Sequence, residues 1–315
     1  MKFGDTSVEF LTKFFREKKP ELRPRSIHTY VTAVRRVRRE LGESFTEGEF
    51  DTWLSAMKPP QAKNYIYPVC LVLGKHVPAL WKKYNRLAVE HLDKRELTAR
   101  ERENWTTVAA LRRAVNRMHQ DIQIHKVLRG ARGQFASRQH YNLLRGWIAF
   151  SIHDQFQLRN DAASVRVLRT TQEISDHRAN FYIKATGKFH FYVFKTMRAF
   201  QKRGDWPVVL EASKALRRKL ALYLAKKPES PWLFCDLHGD PISRAQYNTI
   251  LTGASKRYLG IRLGSTMLRH IYLSEFEAGA PTLQQRVKRM RRMLQTTVRT
   301  QLRYTRDEGA TPPSV

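Results

Sequence analysis

The chain has 315 residues, 42% of them hydrophobic, which is length for about two domains with a core in each. Lys and Arg number 58 against 28 Asp and Glu, and the resulting charge of +30 calls for a polyanionic partner, nucleic acid above all. Two cysteines, Cys70 and Cys235, are too few for a disulfide scaffold or a cysteine-based zinc site.

The opening residues Met1 to Asp5 run into polar sequence without the apolar core of a signal peptide. The longest apolar stretch, Tyr65 to Leu73, contains Pro68 and is too short to span a membrane. An intracellular, soluble, basic protein is expected.

Helices dominate the first part. Thr6 and Glu9 make a capping-box pattern ahead of Val8, Leu11, Phe14 and Phe15 at helical spacing. Ser26 opens a second helix with Ile27, Tyr30, Val31, Val34 and Leu41 on one side and Gly42 as its stop. Arg35, Arg36 and Arg39 fall on the other face, as a solvated surface or as a reader of nucleic acid. Phe50, Trp53, Leu54 and Met57 form one further helix, and Tyr65, Val69, Leu71 and Val72 another, with Pro59-Pro60 between them. A last helix with Leu80, Trp81, Tyr84 and Leu87 leads into the charged stretch Asp93-Lys94-Arg95-Glu96, where the chain divides.

The second part is mainly α with a small antiparallel sheet. Helical patterns cover Val108 to Met118 and Tyr141 to Ile152, separated by a basic loop with Lys126, Arg129, Arg132, Arg138, Gly130 and Gly133. After Asn180 the period shifts to two: Phe181 and Ile183, a turn at Ala185-Thr186-Gly187, then Phe189, Phe191 and Val193, which predicts a hairpin. A third strand is expected over Trp206 to Leu210, and helices follow from Glu211 onward. Residues 1–95 hold 19 Lys and Arg against 11 Asp and Glu, and residues 96–315 hold 39 against 17. Both parts are basic, which suggests a clamp around a duplex.

Familiar enzyme motifs are missing: the chain has no Gly-rich Lys-Ser/Thr phosphate loop, His-Glu-x-x-His, Cys-x-x-Cys or Asp-rich metal loop. What remains is an ordered set of cations and one tyrosine: Gln157-Leu158-Arg159-Asn160-Asp161, Phe194-Lys195-Thr196 expected to close the second strand of the hairpin, Thr266-Met267-Leu268-Arg269-His270, and Thr300-Gln301-Leu302-Arg303-Tyr304. In this order and spacing the sequence resembles the tyrosine recombinases, the phage-integrase family, over nearly the whole chain. The wording around Arg159 and Lys195 looks most like members from eukaryotic viruses and mobile elements, which would place it in a host nucleus, and otherwise in the cytoplasm or nucleoid.

The resemblance implies a helical core-binding domain at 1–95 and a catalytic domain at 96–315. It implies a site-specific DNA recombinase or integrase working through a 3′-phosphotyrosyl intermediate. Arg159 and Arg269 would stabilise charge on the attacked phosphate, Lys195 would protonate the leaving 5′-oxygen, and Tyr304 would be the nucleophile. Lys188 and Lys202 compete with Lys195 for its role. Where the family carries His or Lys, Thr266 stands, and where it carries His or Trp, Gln295 stands; each could donate a hydrogen bond to phosphate, but neither is a general base. His270 is expected to pack and hydrogen-bond within its helix, and Asp161 to orient Arg159. The phosphotyrosyl bond keeps the energy of the broken phosphodiester, so no cofactor, ATP or metal is expected. Double-stranded DNA at a specific site and a homo-tetramer on two duplexes are the implied partners. A type IB topoisomerase-like relaxing enzyme and a catalytically idle DNA-binding protein remain open alternatives.

Overall fold

The computed structural model describes residues 1–94, 96–294, 297, 298, 302 and 304–306. The chain forms two compact units, Met1–Arg95 and Glu96–Val315.

Five helices build the first unit: α1 (Val8–Lys18), α2 (Pro24–Leu41), α3 (Glu47–Ser55), α4 (Pro59–Leu73) and α5 (Pro78–Asp93). Ser7, not Thr6, caps α1, its hydroxyl accepting from the Phe10 amide at 3.2 Å. Thr6 is spent elsewhere, on the Arg38 guanidinium. Pro59 and Pro60 are the first residues of α4 rather than a break before it, because a helix's first turn has no use for their missing N–H. The α2 stop is at Gly42, whose φ of 83° suits a residue without Cβ. Leu11, Phe15, Val34, Val37, Phe50, Leu54 and Val69 close into a fully buried core.

The second unit contains α6 (Ala99–Glu103), α7 (Val108–Ile124), α8 (Arg138–Gln155), β1 (Val165–Leu168), β2 (Asn180–Ile183), β3 (Lys188–Phe191), α9 (Met197–Gln201), β4 (Val208–Glu211), α10 (Lys214–Lys226), α11 (Arg244–Leu259), α12 (Ser265–Ala278) and α13 (Leu283–Arg292). Helix α8 runs through its centre, buried continuously from Leu143 to His153. The sheet order is β1-β2-β3-β4, with Phe181 opposite His190 and Phe191 opposite Val208 in antiparallel register. The expected hairpin and third strand are thus β2, β3 and β4. Strand β1 was not expected and pairs parallel to β2, so the sheet is mixed rather than purely antiparallel. Four residues reading Val-Arg-Val-Leu are too short a run to stand out by alternation. The β2–β3 turn closes on Gly187 at φ 67°, and a Cβ there would come within 2.3 Å of the Arg217 side chain.

Candidate active site

Arg159 is placed by the way α8 ends. Phe156 terminates the helix, and it, Gln157 and Leu158 are all buried, so the chain leaves α8 anchored residue by residue. Arg159, between the buried Leu158 and a short 3₁₀ turn over Asn160–Ser164, is half-buried and free to face outward. Gln157 is held from the other side by the Arg289 guanidinium, which donates to its Oε1 at 2.6 Å. Asp161 is buried and pairs with Arg244 at 3.5 Å.

Arg269 sits in the second turn of α12, flanked by buried Leu268, His270 and Ile271. It is itself fully buried, and none of its three guanidinium nitrogens has a hydrogen-bond partner among the described residues. Burial, opposed by the Tyr304 and Asp161 charges, pulls its pKa down to about 10, which still leaves it charged at neutral pH. A buried charge without acceptors costs more than the roughly 1–3 kcal/mol of an unpaired neutral group. Near it is His153, fully buried with neither ring nitrogen partnered among the described residues, its pKa lowered to about 3 by burial and by the Arg269 charge.

Tyr304 completes the group. Arg159 Nη2 donates to its hydroxyl at 3.1 Å, and the Arg269 guanidinium lies 4.5 Å from its ring centre. Its own carbonyl accepts from His270 Nδ1 at 2.6 Å, and the two rings tilt together at 5.2 Å. Three residues far apart in sequence therefore meet at one phenol. An arginine donating to a phenolic oxygen favours the phenolate, and a second cation over the ring adds to that. Two guanidiniums beside a phenolic oxygen are a chemistry that could stabilise a phosphodiester under attack, whose non-bridging oxygens gain charge and take bidentate hydrogen bonds.

The other expected site residues are placed less closely. Lys195 does not close a strand: β3 ends at Phe191, and Lys195 is exposed in the connection to β4. Since β3 and β4 are antiparallel neighbours, that connection is itself the loop of a hairpin. Its neighbour Thr196 donates to the Leu294 carbonyl at 2.6 Å, which ties this loop to the end of α13 and its following turn. Of the competing lysines, Lys188 is on β3 and Lys202 is exposed just after α9. Thr266 is exposed in the first turn of α12, three residues ahead of Arg269. Gln295 lies outside the described residues.

Of the α2 arginines, Arg36 is engaged internally, donating to Glu40 at 2.8 Å and to the Tyr65 hydroxyl at 2.9 Å. Arg35 and Arg39 stay exposed and, with His28, Thr32 and Arg38, line a cleft of about 550 Å³. The basic run on α13 is also partly structural, since Arg286 pairs with Glu277 at 2.8 Å and Arg289 stacks 4.6 Å over Phe276. A groove of about 1220 Å³ lined by Lys184, Lys214, Arg217 and Arg218 includes none of Arg159, Arg269 or Tyr304.

Glu101, Arg306 and Arg244 escaped the sequence reading. For Glu101 a signal existed, the Thr98-x-x-Glu101 capping box, but that pattern speaks only of a helix start. No group of three or more His, Cys, Asp or Glu able to hold a metal occurs among the described residues. None of their helices is long and apolar enough to cross a membrane.

No family model matches the chain, and neither does any curated protein. Among solved structures it is similar to XerA recombinase, at 11% identity over 94% of this chain and 93% of that one, with a TM-score of 0.43. It is also similar to XerH site-specific recombinase bound to difH substrate in a pre-cleavage complex, at 13% identity over 98% and 96% of the two chains, with a TM-score of 0.44. The XerH post-cleavage complex with palindromic difH gives 11% identity, 95% and 80% coverage and a TM-score of 0.46.

Proposed function

We propose that this chain is a tyrosine recombinase that cleaves and rejoins double-stranded DNA at a specific site. The observation that carries this reading is the Tyr304 hydroxyl, 3.1 Å from Arg159, with the buried Arg269 guanidinium, which has no hydrogen-bond partner among the described residues, 4.5 Å from its ring. Tyr304 oxygen attacks the scissile phosphorus, giving up its proton to solvent as the O–P bond forms. The bond from phosphorus to the 5′-oxygen breaks, and Lys195, on its exposed loop, supplies the proton that oxygen takes. Arg159 and Arg269 hold the non-bridging oxygens throughout. A DNA hydroxyl attacking the 3′-phosphotyrosine reverses these events and releases Tyr304. Residues 1–95 act as the core-binding domain and 96–315 as the catalytic one, and exchange between two duplexes requires four copies. Thr266 offers phosphate a hydroxyl in place of a charge.

The test is a library of nicked duplexes with randomised cores, from which protein-linked DNA is recovered under denaturing conditions. Wild type is expected to trap a defined site, and Tyr304→Phe to trap nothing. No adduct from wild type would leave a DNA-binding protein without chemistry. An adduct that relaxes a single supercoiled circle but never joins two sites would favour a topoisomerase-like enzyme.

A further inference from the structure

We infer that Glu101 is a positioning residue that holds Tyr304 against its two guanidiniums, acting through Arg306 and His270; this rests on Tyr304 being the nucleophile. Helix α6 is only one turn and a half, and its cap is a reciprocal pair in which Glu101 Oε2 accepts from the Thr98 amide at 2.9 Å. That bond fixes the carboxylate and leaves Oε1 turned the other way, where Arg306 Nη2 donates to it at 3.0 Å. The same nitrogen is 3.3 Å from His270 Nε2, and the Arg306 amide donates to Ser274 Oγ at 2.7 Å.

The imidazole joins the two ends of this arrangement. Its Nδ1–H donates to the Tyr304 carbonyl, so Nε2 of the neutral ring is an acceptor. Nε2 and Glu101 Oε1, 3.5 Å apart, therefore both accept from the one guanidinium rather than forming an ion pair with each other. Burial, together with the Arg306 charge, keeps the ring neutral, with a pKa lowered to about 4. The main chain is thus pinned at the Tyr304 carbonyl by His270 and at the Arg306 amide by Ser274, while Glu101 holds the Arg306 side chain.

Electrostatics explains why a carboxylate is needed there. Arg159, Arg269 and Arg306 all converge on this segment, and Arg306 is nearly buried, its side chain 13% exposed against 14% for Glu101. Without Glu101, a third cation would be held in low dielectric beside two others, and the segment would relieve that repulsion by moving outward. Glu101 touches neither the phenol nor a substrate phosphate. Its effect is on where the phenol sits, and misplacement by about 1 Å can cost on the order of 100-fold in rate.

The test uses the full chain and Glu101→Gln, because glutamine still accepts from the Thr98 amide and so keeps the helix cap while removing the charge. Two measurements are made: amide hydrogen exchange at Tyr304–Arg306 without DNA, and single-turnover adduct formation on the recovered duplex beside its affinity. Exchange is expected to rise at least about tenfold. Adduct formation should slow by roughly 10- to 100-fold with DNA affinity unchanged. The double variant Glu101→Gln with Arg306→Gln removes both charges of that pair, so that neither is left without the other, and is expected to fold and show the same slowing. A cleavage rate equal to wild type in both variants overturns the inference, whatever the exchange shows. Faster exchange in a protein whose wild type forms no adduct instead overturns the nucleophile reading and leaves Glu101 a structural anchor.

Discussion

Arg36 in the first unit and Arg269 in the second are both helical arginines lying against a tyrosine ring, at 5.6 Å and 4.5 Å, yet their surroundings are opposite. Arg36 is half-exposed and fully spoken for, with Glu40 at 2.8 Å, the Tyr65 hydroxyl at 2.9 Å and Trp53 beside it. The Glu40 hydrogen bond raises its pKa above the ordinary arginine value. Arg269 is completely buried, donates no hydrogen bond to a described residue, and is shifted downward by burial. A cation that brings its own partners contributes to the fold. One that is buried without them weakens the fold, and in the reading proposed above its partner is the attacked phosphate.

The largest effect that would break this contrast concerns Arg269. Arg269→Met is expected to slow covalent adduct formation by about 100- to 1000-fold. Because an unpartnered buried charge is replaced by a side chain of similar volume, Tm should stay level or rise. A marked fall in Tm would mean that Arg269 belongs to the fold as Arg36 does.

Acid separates the two units next. His153 and His270 are neutral in the folded state, with pKa values lowered to about 3 and about 4, while the unfolded chain binds those protons from about pH 6.5 downward. The unfolded state then holds more protons than the native one, so the second unit loses stability as pH falls from about 6.5 toward 4. For His153 alone the loss between pH 7 and pH 4 is roughly 3 kcal/mol. In the first unit the shifted acids are Glu40, Glu49 and Asp51, all lowered by hydrogen-bond donors, chiefly Arg36, Thr46 and Lys83. Their stabilisation is present above the ordinary carboxylate range and is lost only as pH falls through and below it. Melting followed by Trp fluorescence and by amide exchange should show the second unit softening first. Simultaneous loss of both would remove the distinction.

The smallest effect sharpens the comparison from the other side. Arg36→Met is expected to lower the Tm of the first unit slightly, as exposed ion pairs contribute little, and to leave the cleavage rate at saturating DNA unchanged. A slowed cleavage step would show that Arg36 serves more than local packing.

Legibility in the sequence followed the range of the interactions involved. The Gly42 stop, the alternation around Ala185-Thr186-Gly187 and the helical stripes of α5 and α7 are written within a few residues, and the structure has them where they are expected. Local ambiguity caused the misses. Ser7 and Thr6 are both good caps and only the tertiary demand of Arg38 on Thr6 separates them, while Pro59-Pro60 reads equally as a break or a beginning. Arg159, Arg269 and Tyr304 could be singled out only by their order along the chain.

By itself the sequence determined a basic, mostly helical chain with a hairpin in its second part, because charge and hydrophobic period are properties of residues and their near neighbours. Tertiary structure decided which cations are partnered and which are not. Glu101, His270 and Arg306 come together across more than 200 positions, as the Arg306–Glu101 pair requires, and no local pattern records that. Whether a guanidinium is a surface charge, a structural tie or a bare anion receptor depends on its solvent and its acceptors, and both are set only when the chain packs.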